Sequence, residues 1–167
     1  TVAAVWDADG VGTSSSYEQY FAPYKFTGTS TTPWAGDPDA KYWPNAGTMQ
    51  FIAHYPHATN MAVTLDPAVG IKGYTVADIA ADSQVDVLFS DLVTPATVPG
   101  GKEALQFHHA KALLKLVFKT TFDTNLHEVK LVSAKINGVN LGGTLAVNST
   151  AAPSTAEWTS KTSAEDS

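Results

Sequence analysis

The most ligand-like spacing in the sequence is found in Asp7-Ala8-Asp9-Gly10-Val11-Gly12, with Glu18 eleven residues after Asp7. This spacing matches positions 1, 3, 6 and 12 of the EF-hand calcium loop. Position 5 is Val11, which has no side-chain oxygen, and a strand rather than a helix is predicted before the loop. We therefore favour an acidic, glycine-containing surface turn over a calcium site.

The five histidines are the other candidate metal ligands: His54, His57, His108, His109 and His127. A zinc site needs three or four converging ligands. Neighbours on a strand point to opposite faces, so His108 and His109 cannot bind one ion from a regular strand. His54 and His57 flank Pro56 and could approach each other. The pattern favours ordinary histidines in loops and at the rim of the core, and we predict no metal and no cofactor.

Patterns typical of catalysis are missing from the sequence. No serine lies in a Gly-x-Ser-x-Gly elbow, and the glycines form neither a GxGxxG nor a Walker A motif. Carboxylates are also paired as Asp37/Asp39 and Asp82/Asp86, beside turn residues that favour caps and solvated loops over an acid–base pair. We therefore predict no catalytic residue and no enzymatic activity.

Aromatic residues are the remaining candidates for binding, since a flat ring in a loop could stack on a sugar or on a partner protein. The six rings are Trp6, Trp34, Tyr42, Trp43, Tyr55 and Tyr74. The densest group is Tyr42-Trp43-Pro44. We favour rings that close the ends of a sandwich. A surface carbohydrate-binding module that uses Trp34 and Trp43 is the second hypothesis.

The composition excludes several classes of protein. The chain of 167 residues has no cysteine, which excludes disulfides, thiol nucleophiles and thiolate metal sites. All ten basic residues are lysines and the net charge is −6, so nucleic acid is not expected as a partner. Thr (20) and Ser (12) are abundant while charged residues make up 16%, which is typical of an extracellular β-protein.

No run of 18 apolar residues predicts a membrane helix. Because the chain begins with Thr1 rather than Met, we expect a processed or recombinant product.

The elements that would position these residues are short alternating segments separated by turns. They predict an all-β sandwich of about seven to nine strands with long loops. Strands are predicted at 2–6, 20–26, 48–55 and 85–92, with 20–26 at an edge or bulge because of Pro23. Residues 28–45 are predicted to be a loop, interrupted at most by an extended piece at 41–43. Residues 74–81 are predicted to form a short helical turn that Thr75 caps.

The second half of the chain leaves one conflict open. Residues 103–116 fit a helix by spacing and propensity, but also fit two strands at 104–109 and 114–122. The turn Asn137-Gly138 predicts a hairpin between residues 129–136 and 141–147. We expect one β-sandwich domain at 1–148, with 149–167 as a linker or terminal strand that leads to a second β-domain absent from this chain.

Five landmarks and a turn then follow one another in a recognisable order. They are Tyr42-Trp43-Pro44, residues 49–56 (MQFIAHYP), 85–91 (VDVLFSD), 104–110 (ALQFHHA) and 113–119 (LLKLVFK), and the turn Ile136-Asn137-Gly138. Together they resemble the fimbrillin family of Gram-negative anaerobes, whose members are subunits and tip adhesins of type V pili and related surface lipoproteins. The resemblance covers about residues 42–145.

The resemblance implies a transthyretin-like β-sandwich, the N-terminal one of two, in a lipoprotein that is exported to the cell surface and the outer membrane as part of a fimbrium. The outer-membrane anchor would be a lipid outside this chain. The implied partners are other pilin subunits, joined by strand exchange in which proteolysis removes a first strand and a neighbour's terminal strand fills the groove. A host protein or a glycan is a further candidate partner. The resemblance favours two strands over a helix near residues 103–116, and it carries no functional residue over to this sequence.

The absence of arginine bears on this implied maturation. Processing in the family usually cuts after Arg, and this chain has none. The alternatives are a cleavage that has already taken place, a tip or anchor role, or no polymerisation.

Overall fold

The structure, a computed structural model, describes residues 1–8, 16–80, 85–95, 103–122 and 128–163. Within these ranges the chain forms eleven strands and no helix, which confirms the predicted all-β class. The strands are β1 (Val2–Asp7), β2 (Glu18–Tyr24), β3 (Phe26–Thr27), β4 (Ala35–Gly36), β5 (Thr48–Tyr55), β6 (Met61–Asp66), β7 (Gly70–Ala80), β8 (Leu88–Ser90), β9 (Phe107–His109), β10 (Asn140–Asn148) and β11 (Thr155–Ser163). No helix able to span a lipid bilayer occurs in this described part of the chain.

Nine of these strands build the two sheets of a β-sandwich. One sheet has the order β2-β1-β5-β8-β9 and the other has the order β11-β10-β7-β6, and all pairs are antiparallel. The remaining two strands, β3 and β4, pair with each other as a small ribbon. The core between the sheets joins residues such as Val5 and Ile52 from the first sheet to Val76 and Leu145 from the second.

Strands β1 and β5 are buried on both faces. Ala3, Val5 and Ile52 belong to the core between the sheets, whereas the equally buried Ala4 and Met49 face away from it. Trp43 covers part of this outer face, with its ring centroid 5.1 Å from that of Phe51. The continuous burial of β5 therefore reflects a second layer of side chains outside the sandwich.

Two buried polar side chains cross the core. The Tyr74 hydroxyl on β7 donates a hydrogen bond to the Ala53 carbonyl on β5 at 3.1 Å, and burial raises the pKa of this tyrosine. From β5, Gln50 accepts from the Ile71 amide at 2.8 Å and donates to the Val69 carbonyl at 3.1 Å. Because a buried polar group without a partner is costly, these bonds fix how the two sheets face each other.

The turn between β6 and β7 is shaped to receive Gln50. Gly70 has a φ of +84°, and a Cβ atom at this position would lie 2.0 Å from the Gln50 side-chain oxygen. A side chain here would therefore meet both the unfavourable left-handed conformation and a direct clash with the glutamine.

Asp91, just after β8, joins the two sheets at another point. Its carboxylate accepts a hydrogen bond from the Ser154 amide, next to β11, at 2.7 Å, and lies 3.0 Å from the His108 ring on β9. The hydrogen bond from His108, and then the one from Ser154, lower the pKa of Asp91 below its usual 3.8.

Most strands predicted from alternation are confirmed. Strand β1 extends the prediction at 2–6 by one residue, and β5 matches 48–55. Strand β2 lies at the edge of its sheet, as predicted, and a register shift falls at Pro23, where the ring cannot donate to the ladder. Strand β8 is shorter than the predicted 85–92.

The predicted helical turn at 74–81 is wrong, because residues 70–80 form the central strand β7. Tyr74 and Val76 are buried between neighbouring strands, and this tertiary pairing outweighs the weak local capping signal. Asp78 has a φ of +52° at a register shift against β10, which identifies a bulge. Residues 41–43 form no strand, and the loop at 28–45 is instead interrupted by β4.

In the second half of the chain, the strand predicted at 114–122 and the hairpin predicted around Asn137-Gly138 are wrong. Residues 103–116 form no helix in their described part, and a strand occurs only at 107–109. Residues 114–122 and 129–136 lie outside all strands, so the expected hairpin at Asn137-Gly138 is absent and β10 pairs with β7 and β11. The chain after Asn148 contributes β11 to the second sheet.

We predict that Gly70→Ala destabilises the fold by about 2–4 kcal/mol, because backbone strain adds to the loss of the Gln50 hydrogen bonds. The matched control is Gly138→Ala, since Gly138 has a similar φ of +75° but a Cβ atom added there would meet no other atom within 4 Å. Urea unfolding of both variants measures the difference. Equal free energies of unfolding for the two variants would contradict the role assigned to Gln50.

We also predict that Asp91 makes stability fall in acid. Its folded-state pKa is lowered, so its stabilisation is present above about pH 4 and is lost as the pH falls through the lower folded value. Asp91→Asn should cost about 1–2 kcal/mol at pH 7, or roughly 2–8 °C in Tm, and much less at pH 2. Thermal unfolding between pH 7 and pH 2 tests this. A difference in Tm that does not shrink in acid would refute the assignment.

Candidate functional site

Exposed apolar side chains are concentrated in the chain between β9 and β10. Of the nineteen large apolar side chains that are exposed in the described ranges, eleven lie between residues 113 and 139. Leu113 is 98% exposed and Val132 is 94% exposed. We call residues 111–139, described at 111–122 and 128–139, the β9–β10 segment. Large exposed apolar patches are typical of interaction sites, so the β9–β10 segment is a candidate for one.

Within this segment, residues 113–122 have the pattern of a strand with one apolar face. Leu114, Leu116 and Phe118 alternate with Lys115, Val117 and Lys119. The apolar side chains of this series are exposed by 64%, 50% and 58%. In an extended chain they would all point to one side and the lysines to the other. Within the described ranges, residues 113–122 pair with no strand, although their pattern is that of one.

Charge separates the β9–β10 segment from the rest of the chain. Five of the ten lysines lie between residues 111 and 135, together with Asp123 and Glu128, which gives this stretch a net charge of +3. The remaining sequence carries a net charge of −9. The segment is thus electrostatically attracted to the body of a second copy.

Each large sheet ends in two edge strands that leave backbone groups unpaired. These are β2 and β9 in one sheet and β6 and β11 in the other. Strand β11 is the longest of the four, with nine residues. On β11, Ala156 and Trp158 pack toward the core while Glu157 is exposed between them. This edge therefore has one side that packs toward the core and another side on which Glu157 is exposed.

The histidines do not converge on a metal. His108 lies against Asp91, whereas the next residue, His109, approaches Asp86 at 2.5 Å, which confirms that the two rings point to opposite sides. The described residues contain no group of three or more His, Asp or Glu placed to hold an ion. His127 lies outside the described residues.

His54 and His57 are each occupied separately. The His54 ring lies 2.9 Å from the Pro56 carbonyl, and the His57 ring lies 2.7 Å from the Thr1 hydroxyl. Burial lowers the pKa of both histidines.

The acidic candidates have structural partners. Asp7 is buried and accepts a hydrogen bond from the Ser16 hydroxyl at 3.0 Å, and Asp37 forms an ion pair with Lys25 at 2.9 Å. Glu18 is exposed at the start of β2. Residues 9–15 of the calcium-like loop, and Asp82, lie outside the described residues.

The six aromatic residues fall into two groups. Tyr74 is fully buried, Trp43 is partly buried, and Trp6 is anchored through a 2.8 Å hydrogen bond to the Ala46 carbonyl. Trp34, Tyr42 and Tyr55 are instead exposed by 65%, 79% and 48%. Trp34, Tyr42 and Trp43 line one groove of about 510 Å³. The sequence placed the rings near loops, but it contained no signal for which of them share a surface.

Comparison with known proteins provides one match. The sequence model of the fimbrillin-like family matches residues 3–167, which is nearly the whole chain. No curated protein and no solved structure shows a significant match. The family match agrees with the order of landmarks in the sequence and with the all-β sandwich. The chain therefore belongs to the fimbrillin-like family.

Proposed function

We propose that this chain is a fimbrial subunit that joins other subunits by β-strand addition, with residues 113–122 of one copy adding to the β11 edge of the next. Membership of the fimbrillin-like family implies a structural role at the cell surface and assembly with other pilin subunits. The observation that carries the mode of assembly is the strand-like, exposed and unpaired run at 113–122. In strand addition, backbone hydrogen bonds supply affinity and alternate side chains supply specificity.

The two surfaces match in polarity. If the run extends the second sheet, Leu114, Leu116 and Phe118 continue the side of β11 on which Trp158 packs toward the core. Lys115 and Lys119 then lie on the same side as Glu157. Full burial of a fully exposed large apolar side chain contributes about 1.5–3 kcal/mol, and covering these three, which are 64%, 50% and 58% exposed, contributes roughly half of that each toward the cost of association.

The donated run and the accepting edge are different surfaces of the subunit. A contact between unlike surfaces leaves one donor and one acceptor free at the two ends of any dimer. Such a contact can repeat without closing and build a filament. This arrangement fits a pilus better than a closed pair does.

Addition at an open edge needs no removal of a strand. Loss of β1, which pairs with both β2 and β5, would unpair these two strands and remove Ala3 and Val5 from the core. The chain also contains no arginine at which the usual processing could cut. These two observations support edge addition over replacement of β1.

Export and attachment to the outer membrane complete the proposal. The Thr-rich and Ser-rich chain without cysteine suits an extracellular protein. Anchoring through a lipid outside this chain rests on the resemblance to surface lipoproteins, and detection of the full-length gene product in isolated outer membranes tests it.

We predict that Leu116→Asp weakens self-association at least about tenfold, because it places a charge on the face that the neighbour would cover. The matched control is Val69→Asp, since Val69 is 55% exposed in the β6–β7 turn, close to the 50% of Leu116. Sedimentation velocity over a range of protein concentrations measures the association, and thermal unfolding checks that both variants fold.

A second arm tests the accepting edge. Glu157→Lys should also weaken association, and added salt should weaken association of the unmodified chain. The proposal fails if the unmodified chain stays monomeric at all concentrations and salt levels. It also fails if Leu116→Asp and Val69→Asp associate equally well.

A further inference from the structure

A second surface, independent of the assembly surfaces, is the groove on the outer face of the first sheet. Ala4 on β1 lies opposite both Phe21 on β2 and Phe51 on β5, so these three residues share the face that points away from the core. Phe21, Met49 and Phe51 form the floor of the groove. Its volume of about 510 Å³ lies within the roughly 300–1,000 Å³ typical of small-ligand sites.

Trp34 forms one wall of this groove and packs against the backbone of Gly28. A Cβ atom on Gly28 would lie 2.8 Å from both Cα and Cγ of Trp34, so the indole packs directly on the Gly28 backbone. Pairing of Thr27 with Ala35 in the β3–β4 ribbon brings these two residues opposite each other. The Gly28 backbone therefore supports the base of the indole, and the 65% exposure of Trp34 leaves a ring face open to a ligand.

The polar groups around the groove are mostly hydroxyls. Thr31 and Thr32 line it, and the Thr29 hydroxyl ties them together at 3.1 Å and 2.8 Å. The charged residues of the described lining are one cation, Lys41, and one anion, Glu103. This balance suits an uncharged ligand rich in hydrogen-bonding groups.

The floor of the groove does not offer a sheet edge. The Phe51 amide donates to the Val93 carbonyl at 2.8 Å, and the Phe51 carbonyl accepts from the Val93 amide at 3.0 Å. The backbone there is already paired, so strand addition has no free ladder to join. The groove must bind through ring faces and side-chain polar groups.

We propose that this groove binds a neutral saccharide, with one pyranose ring stacked on the open face of Trp34. The face of an aromatic ring carries partial negative charge and attracts the weakly positive C–H groups on the apolar side of a sugar. The sugar hydroxyls then lie within reach of the Thr31 and Thr32 hydroxyls and of Lys41 and Glu103 at the rim. This role goes beyond assembly, because it makes a structural subunit a carbohydrate-binding one.

The test begins with the folded chain on an array of neutral, sialylated and sulfated oligosaccharides, followed by calorimetry with the strongest neutral binder. We expect Trp34→Ala to weaken binding at least about tenfold and Trp34→Phe to weaken it less. Gly28→Ala should weaken binding as well, because the added methyl group displaces the ring without removing it. The matched control is Tyr55→Ala, an exposed aromatic residue (48%) that lies outside both the groove and residues 113–122 and should leave saccharide binding unchanged.

Loss of binding in Trp34→Ala and Gly28→Ala, with Tyr55→Ala unaffected and all variants folded, supports the site. The proposal is overturned if no neutral oligosaccharide binds, if only sialylated or sulfated ones bind, or if Trp34→Ala binds as well as the unmodified chain. Binding of apolar peptides in place of sugars, measured on a peptide library, would also overturn it. Because Leu116→Asp leaves the groove intact, saccharide binding and self-association can fail separately.

Discussion

The antiparallel pairing of β1 with β5 is the constraint on which the other parts of the molecule depend. Both strands are buried on both faces, so the same ladder supports two different layers. On the inner face, Gln50 and Ile52 meet the second sheet. On the outer face, Met49 and Phe51 form the floor of the aromatic groove. A change in the register of this pair would exchange the two faces, and it would disrupt the core and the groove together.

The two candidate interaction surfaces differ in chemistry and in how they are held. The groove is lined by rings and hydroxyls on paired strands and a short ribbon, and its charges nearly balance. The β9–β10 segment is basic, apolar and free of strand pairing in its described part. A rigid, neutral cleft suits a small ligand, whereas an extended run of backbone suits another protein. The groove and the β9–β10 segment are different surfaces, so the two proposed roles do not compete for the same residues.

The sequence predicted those elements that local alternation determines and missed those that depend on distant partners. Strands β1 and β5 followed from alternation alone. Strand β7 did not, because Tyr74 becomes a core residue only through pairing with β6 and β10 on either side. Residues 114–122 show the opposite case. Their alternation predicts a strand, but an alternating pattern does not show whether a neighbouring strand is present to pair with it. The contact between Gly28 and Trp34 left no local signal, because it depends on the close approach of two backbones across a ribbon.

The positive charge of the β9–β10 segment also has a consequence for the direction of growth. Two such segments repel each other, so encounters between two donor ends are unproductive, whereas a donor end approaches the acidic body of another copy favourably. Copies would then align head to tail before any backbone bond forms. A fibre built in this way has polarity, with chemically distinct tips, and only one of them presents an unoccupied basic run to its surroundings.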